Sequence, residues 1–403
     1  MNIEEKEFIP FLLGNDINTY SMARAFYEEY LIKSVVIGKY PTGPSCHSKI
    51  IEYHADKNLD NPEVFIQTIN RLAAQYTHKK VILLGCGDNY VELIIKNKQL
   101  LNDNIIAPYI TEKLMQELIT KEQFYQMCDQ HELEYPQTFV YEAAMQENVA
   151  LPFGFPVILK PSDGVEYWKN EFQGQKKVYK LNNYKDLKKV INEIYQAGYK
   201  NKLIIQDYIP GDDIYIRVMN CFSGKDKKVK LMAMGHVMLE EHTPHGLGNA
   251  TVILGDYDEE LSEKIKGFLE DIQFEGFCNF DIKYDNRDGK LKIFEINLRQ
   301  GRSSYYVTGA GYNLAKYVTE EYIFNKDLQY EIANTEHLFI VVPMAVVYRY
   351  VKDKKYIDKI KQLINEKKSV NPLFLRGDYG LKRLIFLCKS QLSHFFKYRK
   401  YYN

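Results

Sequence analysis

The sequence predicts an α/β protein in which a parallel N-terminal sheet precedes a strand-rich unit. Three observations carry this prediction. Strand-like and helix-like runs alternate over the N-terminal quarter, proline and glycine punctuation opens a second unit near Thr111, and strand patterns crowd the chain from Val229 to Ile296. Strands that alternate with helices imply a parallel, Rossmann-like sheet. At 403 residues, the length suits two to three domains of about 150 residues each.

In chain order, Phe8–Leu13 is an apolar run closed by Gly14, and Tyr20–Tyr30 then spaces its apolar residues as a helix does. Val81–Leu84 reads as a buried strand, followed by Gly85-Cys86-Gly87-Asp88 and a helix over Tyr90–Lys96. The third glycine of a dinucleotide fingerprint is missing, because Tyr90 stands there, so the pair reads as a tight strand-to-helix turn. Helices are predicted over Lys113–Leu118, Lys121–His131 and Asn183–Gln196. Val157–Pro161 is a short buried strand ending on Lys160, and Leu203–Ile209 is another, stopped by Pro210-Gly211. Strands follow at Lys230–Val237, Ala250–Leu254, Phe277–Tyr284 and Lys290–Asn297.

Composition excludes several classes. Hydrophobic residues make up 45% and charged residues 26%, which suits a folded core and excludes wholesale disorder. Lys+Arg and Asp+Glu are equal at 53 each, so no global charge points to nucleic acid. Ala345–Asn403 nevertheless carries 15 basic residues against 4 acidic ones, which leaves an acidic body with a basic tail. The six cysteines show no metal-ligand spacing and read as reduced thiols. The acidic start MNIEEK is the reverse of a signal peptide, and the apolar run Leu338–Tyr348 is too short to span a bilayer. A cytoplasmic protein is expected.

Cys278–Tyr284 and Lys290–Asn297 alternate apolar and polar residues around Asp288-Gly289, the pattern of a β-hairpin. With Arg287-Asp288-Gly289 as the loop and Gly289 left-handed, the simple register sets Asp281 opposite Glu295. Directly paired residues hold their Cβ atoms about 5 Å apart on one face. Asn297 follows on that face by period two. Three oxygen-bearing side chains without thiol or imidazole suit Mg²⁺. The plain alternative is a solvated edge hairpin, but Phe280, Ile282, Ile293 and Ile296 place it centrally, where carboxylates need a counterion. His236–Asn249 also holds Glu240, Glu241, His242 and His245, without the H-E-x-x-H order of a zinc site.

The order Lys121, Val-Ile-Leu-Lys160-Pro, Ile-Ile-Gln206-Asp-Tyr-Ile209, Phe-Asp281 and Glu295-Ile-Asn297-Leu-Arg299 resembles the ATP-grasp superfamily of carboxylate–amine ligases. Glu7–Gly14, Gln206–Asp213 and Asn297–Ser304 resemble bacterial D-aspartate ligases of the peptidoglycan cross-bridge, with likeness running from the N-terminus to about Phe324. The resemblance implies an N-terminal Rossmann-like domain (1–112), a middle or lid subdomain (113–203), a C-terminal catalytic grasp subdomain (204–335) and a basic, partly helical extension (336–403).

It also implies chemistry: ATP activates the D-aspartate side-chain carboxylate as an acyl phosphate. The lysine ε-amine of a UDP-linked muramyl pentapeptide then displaces phosphate. Lys121 and Lys160 would contact the α- and β-phosphates. Gln206, Asp207, Tyr208 and Ile209 would form the adenine edge, with Asp213 either on the ribose or a turn residue. Asp281, Glu295 and Asn297 would hold two Mg²⁺ ions, for which Mn²⁺ is an expected substitute. Arg299 would neutralise the transferring phosphoryl group. Arg302, also placed in catalysis, and Ser303 would grip a substrate carboxylate, while His236 and Asn249 would line the amino-acid or acceptor pocket. Ser162–Gln175, with the single Trp168, would be a flap. One departure stands out. Asn279 and Leu298-Arg299 replace the arginine and Pro-Gly of the D-alanine–D-alanine branch, so that branch's mechanism is not transferable wholesale.

In the tail, Ile357, Ile360, Leu363 and Ile364 share one helical face, and Leu381, Leu384, Ile385, Cys388, Leu392 and Phe395 share another. The expected arrangement is that these stripes cover the protein's own body. A weak membrane-surface contact and a nucleotide-linked acceptor are the other readings of the basic tail. The alternatives to a D-aspartate ligase are a same-fold ligase for another amino acid and amine, on a capsule or teichoic-acid precursor, or a nucleotide-binding protein without turnover.

Overall fold

Five strands, Phe8–Leu13 (β1), Ser34–Gly38 (β2), Ile51–Ala55 (β3), Lys80–Gly85 (β4) and Ile105–Ile106 (β5), form a wholly parallel sheet in the order β3-β2-β1-β4-β5. The computed structural model describes residues 7–145, 150–244 and 246–402, and of Val165 only the backbone. The acidic start at 1–6 and His245 lie outside the described residues. β1 is buried along its whole length, as a central parallel strand covered on both faces should be. Gly87 caps the helix Asp88–Asn97 directly after β4, the tight turn expected there.

The second sheet is antiparallel. Thr138–Tyr141 (β6), Val157–Pro161 (β7), Tyr179–Leu181 (β8) and Leu203–Asp207 (β9) run in the order β6-β9-β7-β8. The helix Tyr184–Gln196 covers it with Leu187, Val190, Ile191 and Ile194, and Asn183 caps that helix by accepting from the Asp186 N–H. The stretch expected to be a flap contains a short helix, Gly164–Lys169, capped by Asp163.

Ile216–Ser223 (β10), Val229–Glu241 (β11), Asn249–Asp256 (β12), Gly276–Asp285 (β13), Lys290–Asn297 (β14), Glu331–Ala333 (β15), Leu338–Ile340 (β16) and Ser369–Val370 (β17) build the third sheet. Its order is β14-β13-β10-β11-β12-β16-β17, with β15 beside β11. β10 lies at its centre, between β13 and β11, and was not among the strands read from the sequence.

Packing joins these parts unequally. One apolar core runs from Phe8 and Leu12 through Leu231 and Val252 to Leu387 and Tyr398. Another joins Phe11 and Leu13 to Met115, Phe124, Phe268 and Phe280. The helices Glu112–Ile119 and Lys121–Gln130 therefore pack with the third sheet. The second sheet keeps a core of its own, centred on Val157, Leu159, Leu187, Ile191 and Ile205.

The C-terminal segment supplies β16 and β17, and its helix Lys354–Asn365 buries Ile360 and Leu363 as the periodicity requires. The last helix, Leu381–Tyr401, overturns the expectation for its stripe. It buries Arg383, Leu387, His394 and Tyr398, while Leu381, Leu384, Ile385, Cys388, Leu392 and Phe395 face solvent. The reason is polar. Arg383 pairs with the buried Asp378 at 3.1 Å and donates to the Pro44 carbonyl, and Tyr398 donates to the Glu240 carbonyl at 2.6 Å. Among the described residues no helix is long and apolar enough to cross a membrane.

Candidate active site

The β13–β14 hairpin sets Asp281 opposite Glu295 and Asn279 opposite Asn297, the expected pairing reached by a different path. Asp285 pairs with Lys290 across a longer turn, in which Gly289 takes φ +74°. A register shift beyond Asp281, which leaves Phe294 outside the ladder, then restores the Asp281–Glu295 pair. The Phe294 carbonyl is put to use: Lys121 Nζ and Tyr125 Oη each donate to it at 2.9 Å.

Lys121 opens the helix Lys121–Gln130 and also meets Glu295 Oε2 at 2.9 Å. This ammonium holds the Glu295 carboxyl below its usual range, whereas burial and then the Glu295 charge push Asp281 up. Asn279 and Asn297 each donate an amide N–H to Asp281 at 3.1 Å. Lys160, at the end of β7, is lowered to about 8 by burial and then by Lys121. Glu295, Asn297, Lys121 and Lys160 thus converge on one wall of a cavity of about 520 Å³, with Asp281 paired to Glu295 and hydrogen-bonded to Asn297 behind it. Asp88, Trp168 and Lys177 line it too. Trp168 sits at its edge, 45% exposed, with its ring 5.5 Å from that of Tyr167.

Arg299 lies beside this wall, held by Asp88 at 2.8 and 3.0 Å and donating to the Gln300 carbonyl. Arg302 is 4.0 Å from Asp16, and Ser303 beside it is buried. The second group of expected residues lies in β9 of the second sheet and the segment that follows it. Gln206 is buried in β9 and donates to Tyr125 Oη and Thr138 Oγ1 at 2.9 Å. Asp207 pairs with Arg287, and Ile209 is buried. Lys180 sits 3.7 Å from the centre of the Tyr208 ring, with Lys283 on the ring as well at 5.7 Å. Lys283 follows Asp281 by period two and donates to the Gly211 carbonyl. Asp213 accepts from the Glu240 N–H at 2.8 Å and contacts His242 Nε2 at 3.0 Å, which favours the turn-residue reading. Glu240 is buried, and desolvation, then Asp213, lifts its carboxyl to about 8.

His236 does not join them. Val218 pairs with both Asp281 and Gly235, whereas His236 pairs with Arg217, one step out of phase. Successive side chains alternate between the faces of a sheet. His236 therefore lies on the face opposite Asp281, against Tyr356 and with the Ile214 carbonyl 2.6 Å away. Sequence alternation cannot phase two strands without their register, and β10 sets that register here. Asn249 starts β12 across from Glu241, away from the carboxylate pair. The residues missed by sequence reasoning are Asp88, Tyr125, Lys177, Lys180 and Lys283. Asp88 had a signal, standing just after the β4 turn.

The donor set Asp281, Glu295 and Asn297 consists of hard oxygen ligands, which fits Mg²⁺. Among the described residues no group of three or more His, Cys, Asp or Glu could hold a metal, so the set depends on the Asn297 amide.

No family model matches the chain. It is 40% identical to "D-aspartate ligase" of Enterococcus faecium (strain Aus0004) over 414 aligned residues, covering 100% of this chain and 98% of that protein. The chain belongs to the D-aspartate ligase family. Solved structures agree on the fold. The purK N5-carboxyaminoimidazole ribonucleotide synthetase, as its ADP complex, superposes with a TM-score of 0.58 at 15% identity over 82% of this chain and 80% of that one. The L-amino acid ligase from Bacillus licheniformis gives 0.54 at 14%, over 78% and 74%. The fold is ATP-grasp, and membership of the family makes the protein an ATP-dependent ligase that forms C–N bonds.

Proposed function

We propose that the protein activates the side-chain carboxylate of D-aspartate with ATP and joins it to the lysine ε-amine of a UDP-linked muramyl pentapeptide. The carboxylate oxygen attacks the γ-phosphorus and ADP leaves. The neutral amine then attacks the acyl carbon, phosphate leaves with its C–O bond broken, and the nitrogen gives up one proton to solvent as the amide forms. The observation that carries this reading is the cavity wall of Glu295, Asn297, Lys121 and Lys160, with Asp281 paired to Glu295 behind it and Arg299 held by the wall residue Asp88.

Each residue then has a task. Lys121 and Lys160 place positive charge on the nucleotide phosphates. Asp281, Glu295 and Asn297 would hold magnesium, two ions with manganese as a substitute, which would supply charge neutralisation at the nucleotide phosphates. Arg299, held by Asp88, faces the charge that builds on the transferring phosphoryl group. Gln206, Asp207, Tyr208 and Ile209 form the adenine edge. Arg302 and Ser303 bind a donor or acceptor carboxylate. The second sheet, with its separate core, acts as a lid from near Thr138 to Asp207, and Trp168 sits on its lip. A nucleotide-linked acceptor places the enzyme in the cytoplasm.

The test is release of ADP and phosphate from Mg-ATP with D-aspartate, L-aspartate or D-alanine, with and without the UDP-linked lysine pentapeptide. Turnover should require both D-aspartate and the pentapeptide. Activity with another amino acid or amine would move the enzyme to a sister pathway, and no phosphate release with any acid would leave a nucleotide-binding protein.

A further inference from the structure

The last helix carries an apolar face that the body of the protein does not cover. Arg383, Leu387, His394 and Tyr398 point inward. On the opposite side Leu381, Leu384, Ile385, Leu392, Phe395 and Phe396 form one stripe, with Leu381 77% and Phe396 74% exposed. From Leu381 to Phe396 that stripe is about 22 Å long at 1.5 Å per residue. Exposed contiguous apolar surface of this extent marks an interaction site.

The charges around the stripe select its partner. At 100° per residue, Lys382, Lys389 and Lys400 fall in one row along its flank, and Arg399 closes its C-terminal end. All four are exposed, and among the described residues none pairs with a carboxylate. No Asp or Glu occurs from Tyr379 to Asn403. Arg383 and Lys397, the other cations of this helix, are committed to Asp378 and Glu241. Two copies packed stripe to stripe would bring like-charged rows together, which is unfavourable. An anionic bilayer supplies both an apolar layer and the complementary charge. We propose that the Leu381–Tyr401 helix docks the protein, lying flat, on an anionic lipid surface.

The full-length protein should float with vesicles of equal parts phosphatidylglycerol and phosphatidylcholine, and not with phosphatidylcholine alone. Added salt should release it. Leu392→Asp with Phe396→Asp should cut the bound fraction about tenfold or more, because a charge replaces buried apolar area on each turn. Lys382→Glu with Lys389→Glu keeps the stripe, and should lose about fivefold or more per lysine. Lys33→Glu with Lys57→Glu, exposed positions on the N-terminal unit, should bind as the parent does. All these side chains are in solvent, so thermal melting should match the parent. No flotation with the anionic vesicles would overturn the proposal. So would flotation unaffected by either helix variant, or a dimer in sedimentation that Leu392→Asp with Phe396→Asp dissociates.

Discussion

Glu295 stands between two demands, neutralising Lys121 now and holding magnesium in the proposed reaction. Its side chain is 43% exposed, so losing the bridge to Lys121 costs folding little, within about 1 kcal/mol. Glu295→Ala should therefore keep its melting temperature within a few degrees while turnover falls about 10²–10³-fold. Near-normal ADP release from that variant would remove Glu295 from the site. Lys160 makes a second prediction, through pH. Burial and Lys121 lower its ammonium to about 8, so the cation proposed to meet phosphate is present well below that pH and is lost as pH rises through it. ATP affinity should be flat up to about pH 8 and weaken above it. In Lys160→Arg, whose guanidinium keeps its charge, the profile should stay level. Trp168, the single tryptophan and part of the cavity wall, gives the binding signal.

The hairpin shows what was legible at the scale of elements. Alternation over Cys278–Tyr284 and, on either side of the Ile293-Phe294 break, over Lys290–Asn297, with Asp288-Gly289 between, indicates which residues share a face, and Asp281 meets Glu295. The register shift does leave a mark, because the adjacent apolar residues Ile293-Phe294 break the alternation where Phe294 drops out of the ladder, and the longer turn and the shift cancel in the Asp281–Glu295 pairing. β10 escaped notice because a strand buried on both faces loses its alternation, and His236 was misplaced with it. The last helix teaches the same lesson. Periodicity says which residues share a stripe and not which way the stripe points; Arg383 and Tyr398 decided that through buried partners. Gly276 is the element-scale test. It opens β13 at φ +92°, and a Cβ there would lie 2.0 Å from the Pro108 carbonyl oxygen. Gly276→Ala should cost about 2–3 kcal/mol or more in urea unfolding, whereas Gly267→Ala, in a helix with open space around it, should not destabilise.

Taken whole, the molecule is a first and a third sheet fused through shared cores, with the second sheet keeping its own. The chain's end completes the fusion. Asp378, fully buried, accepts from Tyr20 Oη and Ser48 Oγ at 2.8 Å and from the Lys49 N–H at 2.5 Å, and it pairs with Arg383. Arg383 in turn lies 4.1 Å from the centre of the Tyr20 ring and donates to the Pro44 carbonyl. Residues more than three hundred positions apart thus share one buried charge cluster at the edge of the core that also holds β1. The basic tail is therefore not an appendage, and removing it should unfold the first sheet rather than trim the protein. Arg383→Ala leaves Asp378 buried without its cation, a loss of about 3–5 kcal/mol. Arg383→Met keeps volume but not charge and should fall nearly as far. Urea unfolding should show one transition moving to lower denaturant for the fused sheets, while the separate core around Val157 and Ile205 holds its own stability. If the Arg383 variants instead released only the last helix, with β1 protected from hydrogen exchange as in the parent, the two ends of the chain would be joined in space but not in stability.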